Sequence, residues 1–593
     1  MLGNLVVNNT LKDNPPTLTI PCQSNMDWIV RHSFRVTERR HSRPRAPASL
    51  SLVPMQHPAQ QSTAQTTQAD SGRASWIWCV LGLLLILLVP LVVRAPLTSD
   101  TVMFDLQAKT VSNGGVLYQN ILEPNFPGVV WVHMMIRGIG GWSPTWMRIA
   151  DLLIVLTSLL ILFRLAAPES RCDSPTPTAS LIQRNHIRAA GTLTAVFFYL
   201  TRNEWCHCQR DCWMLLPVSA AIWLHCRRAE TSERRRSLAG IAEGLCWGAA
   251  FWIKPHIAFG ALPVFAVTLL QARDLKTGLR DLFTIVSGGI LAAVPGIIWL
   301  LANGSFTAFL DMQVHWNPEY LAAGAERRSF QRIWHMIIRF HPWWLVHLAA
   351  LPIAISQLRK AVRRRSVISP AESRAQRAAS ILSALYVGWL VQALLLQHAM
   401  DYIHVAPIIL GIAVLSSRGN FFESVSIRSA ALAFAVLAIA AAPFLHAGRL
   451  TEWPECVASP RSWRQLETLS QGRFPDWQDV GQVVDFLRRE QVRQGDVTCF
   501  TTHSIHIYAA LQMMPSTRYV GVSTLLELFP RRADKIRNEV TSAGARFIVT
   551  DDDEVPPQDQ AFPWDLPVVF RSGSIAVHAV RQVAQRSDSI RTQ

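Results

Sequence analysis

Residues 76 to 93 read WIWCVLGLLLILLVPLVV, eighteen consecutive positions without a charge. Wound as a helix, such a run nearly crosses a hydrocarbon core about 30 Å thick. Further apolar runs lie at 145 to 163, 188 to 201, 212 to 226, 239 to 253, 257 to 271, 282 to 302, 342 to 357, 379 to 397, 403 to 416 and 427 to 446. Several are nearer fifteen residues than the roughly 20 a crossing needs, so each alone would pass for a buried helix of a soluble protein. Together they would not. So many apolar helices joined by such short loops leave a soluble fold no polar exterior.

The loops between these runs alternate in charge. Those at 164 to 188 (Arg164, Arg171, Arg184, Arg188), 227 to 238 (Arg227, Arg228, Arg234, Arg235, Arg236), 272 to 281 (Arg273, Lys276, Arg280) and 358 to 378 (Arg359, Lys360, Arg363, Arg364, Arg365, Arg374, Arg377) are rich in cations. By the positive-inside rule they face the cytoplasm. The loops at 96 to 144, 202 to 211, 254 to 256, 303 to 341 and 398 to 402 carry far fewer cations for their length and fall outside. With the basic segment 1 to 74 inside, eleven crossings put the C-terminal region outside. The expected fold class is therefore an α-helical polytopic membrane protein of about 11 transmembrane helices, N-in and C-out, with a small C-terminal α/β extracytoplasmic domain. Its expected parts are a disordered basic cytoplasmic tail (1–74), a transmembrane domain (75–446) with outer loops 96–144 and 303–341, and the extracytoplasmic domain (447–593).

Composition fits that division. Half the residues are hydrophobic, yet the mean hydropathy is only +0.19, because a polar tail and a C-terminal domain dilute the membrane part. The net charge of +16 is explained by the basic loops, so nucleic acid is not expected as a partner. The stretch HSRPRAPASLSLVPMQHPAQQSTAQTTQAD at 41 to 70 has no apolar periodicity and reads as disordered. Ten cysteines form no disulfide framework. Cys206, Cys208 and Cys212 around His207 have metal-ligand spacing without a second ligand pair. Cys456 and Cys499 are the two that would pair on the outer side.

Beyond 447, helix and strand signals alternate. DWQDVGQVVDFLRRE (476–490) is amphipathic, DVTCFTT (496–502) reads as a strand and SIHIYAALQMM (504–514) as a helix. TRYVGV (517–522) reads as a second strand, 525–543 as helix, ARFIVTD (545–551) as a third strand, and 566–581 as a hairpin about Ser572-Gly573. No Gly-rich phosphate loop or nucleophile with its base is present, so a recognition or structural role is expected.

Chemistry-bearing residues gather in the poorly basic loops. The first reads SDTVMFDLQAKTVSNGGVLYQNILEPNFPGVVWVH from Ser99 to His133. A carboxylate at the membrane surface, partly desolvated, has a raised pKa and suits general-base work; alternatively it holds a divalent cation. Asp100 is the first candidate, with an N-cap of the helix starting near Thr101 as its bland alternative. Asp105, Tyr118 and Glu123 are the secondary ones. The second loop ends HCQRDCWMLLP, where Asp211 at a span entrance must stay at the interface or face a cavity, since the bilayer centre would cost on the order of 3 kcal/mol. Arg210 beside it offers a structural ion pair, and Arg202 and Glu204 are nearby alternatives. FWIKPHIAFG places Lys254 and His256 where an anion would make them affordable; a turn with a snorkelling lysine is the plainer option. HAMDYIHVAP contributes Tyr402 and His404. In MQVHWNPEYLAAGAERRSF (312–330), Trp316 and Tyr320 suit stacking on a sugar, and Arg327 and Arg328 suit steering a phosphate.

An acidic residue just beyond the first span, a helix-like stretch, Gly114-Gly115, Tyr118 and then EPNFPG resemble the first outer loop of GT-C superfamily membrane glycosyltransferases, which include protein O-mannosyltransferases and lipid A aminoarabinose transferases. The Gln-Arg-Asp of the second loop and the Tyr-His-Pro-like DYIHVAP are similar to segments of the same superfamily. That resemblance implies sugar transfer from a polyprenyl-phosphate donor, with Asp100 as the catalytic or metal-associated carboxylate and Asp211 as the second acidic site. Where the family often has Asp-Glu, this chain has Asp100-Thr101. The sequence names no cofactor; a divalent cation, where one is needed, falls to Asp100 and Asp211. Expected partners are a polyprenyl-phosphate-linked sugar, the lipid bilayer and a glycan, lipid or protein acceptor, at the plasma (inner) membrane. A transporter or flippase is the competing class, but it would break spans in repeated halves and set charges near the midplane. A non-catalytic envelope-assembly protein is the third.

Overall fold

The computed structural model describes residues 62–167, 177–228, 232–272, 274–326, 329–363, 370–397, 400–418, 425–470, 475–555 and 561–580. The tail expected over 1–74 lies outside them up to residue 61, as do Arg327 and Arg328. In chain order, α1 (Ser62–Arg94) is followed by two helices of the first loop, α2 (Ser99–Ser112) and α3 (Gly128–Gly140). Then come α4 (Pro144–Ala166), α5 (Pro177–Thr201), the short α6 (Arg210–Trp213), α7 (Leu215–Arg228), α8 (Glu233–Ile253), α9 (Ile257–Gln271) and α10 (Leu275–Ala302). The next loop folds as α11 (Phe306–Asp311), a π-helical turn at Met312–Trp316, α12 (Asn317–Glu326) and α13 (Phe330–Arg339). The bundle closes with α14 (Leu345–Arg363), α15 (Pro370–Leu395), α16 (Val405–Ser416) and α17 (Val425–Ala440).

Every apolar run of the sequence is thus helical. Among the described residues, five helical segments are long and apolar enough to cross a membrane: Trp76–Arg94, Pro144–Ala166, Leu275–Ala302, Leu345–Arg363 and Arg374–Leu395. The chain is a mostly helical, multi-pass membrane protein. Large apolar side chains such as Leu83, Phe283, Ile290 and Leu348 remain more than half exposed, which only a lipid solvent makes tolerable.

Close packing inside the bundle relies on small residues. Gly240, Gly244 and Gly248 recur every fourth position along α8, forming one stripe on the helix. A Cβ on Gly244 would lie 2.0 Å from the Ile285 carbonyl oxygen of α10, and one on Gly288 would lie 2.1 Å from the Ile241 carbonyl oxygen. The two backbones therefore touch, which is how helices gain contact where lipid removes the hydrophobic drive.

After α17 the short helices α18 (Ala447–Leu450), α19 (Trp453–Ala458) and α20 (Trp463–Leu469) lead to an α/β unit. It comprises α21 (Trp477–Arg489), β1 (Val497–Cys499), α22 (His506–Leu511), α23 (Val522–Leu528), α24 (Ala533–Ser542), β2 (Phe547–Asp551), β3 (Val568–Ser572) and β4 (Ile575–Ala579). The sheet order is β1-β2-β4-β3, with β1 parallel to β2 and the rest antiparallel. The expected strand at 517–522 does not form. Its backbone bonds elsewhere: the Arg518 carbonyl accepts from the Leu122 amide of the first loop at 2.8 Å. The expected Cys456–Cys499 pair is also absent, both thiols being free. Cys456 lies in α19 beside the Gln465 amide, whereas Cys499 is in the sheet with its amide donating to the Tyr508 hydroxyl.

One apolar core runs from the first loop into this α/β unit, joining Val102, Phe104 and Val130 with Trp316, Val480, Tyr508 and Phe529. A valine at Gly244 has no room against α10, and overpacking of this kind costs about 1–3 kcal/mol. Gly244→Val is expected to lower the thermal unfolding midpoint of the detergent-purified protein clearly, while Gly82→Val, at a glycine with open space around it, leaves it near the wild-type value.

Candidate functional site

Three chain segments end at the same place. The first is the start of α2. Thr98 caps this helix, its hydroxyl accepting from the Thr101 amide at 3.2 Å, so the capping role open to Asp100 is already filled. Asp100 stands in the first turn, where the helix dipole favours a negative charge. It is surrounded by protein yet keeps some accessible surface. Burial pushes its carboxyl up from the usual range. Arg210, the neighbouring Gln209 amide and Lys254 oppose that rise, and Asp211 adds to it.

The second segment is the turn into α6, which carries Gln209, Arg210 and Asp211. Arg210 and Asp211 do not pair as expected from their adjacency, because neighbours on a helix point in different directions. Asp211 is fully buried and instead meets Lys254, 43 positions later, whose Nζ donates to both carboxylate oxygens at 2.9 and 2.8 Å. Lys254, at the end of α8, also donates to Gln397 at the end of α15. Burial pulls its pKa down to about 8 against the pull of Asp211. The turn of the first loop seats on the same end of α8, since a Cβ on Gly128 would lie 2.3 Å from the Trp252 carbonyl.

Arg210 is buried with its guanidinium 5.8 Å from the Phe104 ring centre. Despite burial the nearby carboxylates Asp211 and Glu123 favour its charged form. Its Nη1 has no hydrogen-bond partner among the described residues, an unmet donor of the kind that a phosphate oxygen satisfies. The third segment brings Tyr402 and His404, both half-buried. Burial raises Tyr402 and lowers His404 to about 4, with Asp211 opposing. Asp100, Arg210, Asp211, Lys254, Tyr402 and His404 thus share one electrostatic cluster, with Tyr320 of α12 above Arg210. Glu123 borders it, fully buried and raised chiefly by burial, with one oxygen accepting twice from Asn125 at 2.6 Å.

Other expected candidates lie apart. Asp105 faces α3, accepting from His133 Nδ1 and Arg137 Nε at 2.8 Å each. Burial would raise it, but those hydrogen bonds outweigh burial and hold it below its usual value; this is a lock between α2 and α3. The Tyr118 hydroxyl is spent on the Asn125 carbonyl at 2.9 Å. His256 sits at the α9 N-terminus. Trp316 is not available for stacking on a sugar: it is buried beneath the Arg532 guanidinium at 4.3 Å and against Phe529 at 5.1 Å. Arg202 donates to the Arg339 and Ala441 carbonyls, and Glu204 accepts from Ser470. Gln397 was missed; its only signal was an amide ending an apolar run. So was Asp151, fully buried, which holds the Trp213 indole at 2.8 Å and the Tyr199 hydroxyl at 2.7 Å beneath the Asp211 turn.

The donor set does not fit a divalent cation. Both oxygens of Asp211 are committed to Lys254, and Arg210 and Lys254 already balance Asp100 and Asp211 in charge. Among the described residues no group of three or more His, Cys, Asp or Glu is placed to hold a metal ion, the Cys206–Cys212 segment included. Cavities also lie elsewhere: about 570 Å³ along α14 beside Arg359 and Arg363, and about 250 Å³, wholly apolar, between α1, α4 and α5.

No family model matches the chain, and no curated protein matches it. Among solved structures it is similar to ArnT from Cupriavidus metallidurans bound to undecaprenyl phosphate, at 14% identity over 86% of this chain and 98% of that one, with a TM-score of 0.50. Another is the archaeal oligosaccharyltransferase AglB from Archaeoglobus fulgidus in complex with an inhibitory peptide and a dolichol-phosphate, at 12% identity over 81% and 69% of the two chains, with a TM-score of 0.41. The likeness to ArnT is one of fold.

Removing one partner of a buried ion pair costs about 3–5 kcal/mol, because the other charge is stranded. Lys254→Met is expected to lower the thermal midpoint substantially, and Asp211→Asn/Lys254→Met to recover part of the loss, as measured by unfolding in detergent.

Proposed function

We propose that this chain, with the fold of ArnT, is an integral membrane glycosyltransferase that moves a sugar from a polyprenyl-phosphate donor to an acceptor hydroxyl. The observation that carries the reading is the cluster itself: two cations, Arg210 and Lys254, beside a carboxylate, Asp100, whose pKa burial raises. That ArnT was solved bound to undecaprenyl phosphate supports an isoprenoid phosphate as the donor's carrier. The basic loops supply the orientation: about eleven crossings, the cluster and the α/β unit on the outer face, and the inner membrane as location.

In this reading the donor phosphate lies against the free Nη1 of Arg210, while Lys254 is saturated by Asp211 and Gln397 and holds Asp211 beside that arginine. The acceptor oxygen attacks the anomeric carbon from the face opposite the phosphate, so the configuration inverts. As the new C–O bond forms, the bond from the anomeric carbon to the phosphate oxygen breaks, and the electron pair leaves with the polyprenyl phosphate. Arg210 holds the charge that develops there, in a site too buried for water to screen it. The acceptor's proton passes to Asp100. A carboxylate with a raised pKa is a stronger base than an exposed one, and positioned proton transfer typically contributes about 10²–10⁴-fold. Tyr320, Tyr402 and His404 line the cluster and suit contacts to sugar hydroxyls. The energy resides in the phosphate–sugar bond, which is why no nucleotide-binding motif is needed.

Asp100→Asn is expected to lower transfer from a radiolabelled polyprenyl-phosphate sugar in membranes by about 10²–10⁴-fold, with unchanged expression and gel-filtration profile; full activity in that variant would remove Asp100 from the chemistry. Mass spectrometry of envelope glycans after gene deletion would name sugar and acceptor. The pH dependence has a definite sign. Asp100 must be ionised, so the rate falls on the acid side at a pH above the ordinary carboxylate range. Lys254 must stay protonated to keep Asp211 paired and the charge balance around Arg210 intact, so kcat/KM falls again as pH rises through about 8. A profile still rising at pH 9 would exclude a requirement for the charged Lys254–Asp211 pair.

A further inference from the structure

The helix α13 carries an apolar stripe that stays largely exposed among the described residues. Phe330, Ile333, Trp334, Ile337 and Ile338 follow the i, i+3, i+4, i+7, i+8 spacing of one helical face. Phe330 is 81% exposed, Trp334 51% and Ile338 55%. Gln331, Arg332, His335 and Arg339 occupy the other side. Only Met336 and the following Phe340 are buried against the protein.

The position of the helix identifies what covers that stripe. Span α14 begins at Leu345, a few residues beyond Arg339, so α13 ends at the level where the chain enters the membrane. Leu348, in the first turn of that span, is itself 63% exposed, so the stripe runs into a surface that lipid must cover. A strong apolar face on a helix of low average hydrophobicity, with cations opposite, is the pattern of a helix lying in the plane of a bilayer interface.

The same helix is fastened to the functional site. Arg339 donates to Asp401 at 2.6 Å, the residue before Tyr402. The Arg339 carbonyl accepts from Arg202 at 3.3 Å, and the Phe340 ring meets the His404 ring edge-on at 6.2 Å. A helix held at headgroup depth would therefore hold Tyr402 and His404 there as well.

We propose that α13 docks flat on the lipid surface, its Phe330–Ile338 stripe in the headgroup and acyl boundary, and fixes the Tyr402–His404 edge of the site at that depth. The functional clause rests on the transferase reading; the docking itself does not.

The test uses the full chain in liposomes, with a spin-labelled amino acid introduced by amber suppression at position 330, 331, 334 or 335. Labels at 330 and 334 are expected about 5–10 Å below the phosphates, accessible to oxygen and shielded from a water-soluble nickel chelate, with 331 and 335 showing the reverse. Equal exposure of all four to the chelate would overturn the proposal. A second measurement needs no label. Lipids brominated near the headgroup should quench wild-type tryptophan fluorescence more than that of Trp334→Phe, and identical quenching would count against docking. Because neither readout is activity, docking and transfer can fail separately.

Discussion

Lys254 and Asp211 meet as a buried ion pair at the end of an apolar helix, and the arrangement of this end of the bundle depends on that contact. A lone ammonium or carboxylate at this depth would cost several kcal/mol, so neither residue is sustainable without the other. Their meeting joins α8 to the turn before α7, and Gln397 extends the tie to α15. Once two opposite charges have cancelled, Arg210 and Asp100 remain as a second pair of charges at the same helix ends. The protein thus carries a site whose sum of charges is small while each local field is strong, which suits a phosphate leaving group beside a base.

Around this pair, polar contacts with no part in the chemistry set distances. Asp105 with His133 and Arg137 locks α2 onto α3. Asp151 grips the Trp213 indole and so fixes the turn that presents Asp211. The α/β unit presses on the same loops: its Arg518 carbonyl pairs with Leu122, and its Arg532 donates to the His315 carbonyl at 2.7 Å. It packs against the loops that carry Asp100 and Tyr320. It shares their core rather than standing off as a separate module.

The apolar runs and the alternation of loop charge were legible in the sequence because both follow from a solvent constraint acting locally: a helix in lipid must be apolar for its whole length. The residues Asp100, Arg210, Asp211, Lys254 and His404 stood out for the same reason, as ionisable groups at the ends of such helices. Their roles were less legible than their positions. Asp105 looks like Asp100 in the sequence, yet its partners on α3 consume it. Trp316 and Tyr320 are four apart on adjoining helical turns and both meet the Phe529 ring, and only the seating of Arg532 over Trp316 separates a buried packing residue from one facing Arg210. The segment at 517–522 has the composition of a strand, but its backbone partner is a loop nearly four hundred residues upstream.

By itself the sequence determined that the chain is helical, that it lives in a membrane and which helix ends bear charge, since periodicity and desolvation cost are properties of short stretches. Only the tertiary structure decided that Asp211 pairs with Lys254 and not with Arg210, that Asp100 is free of capping duty, and that the C-terminal unit clamps the first loop. Those outcomes depend on direction and distance between segments far apart in the chain, and side-chain direction is settled only when the helices have packed.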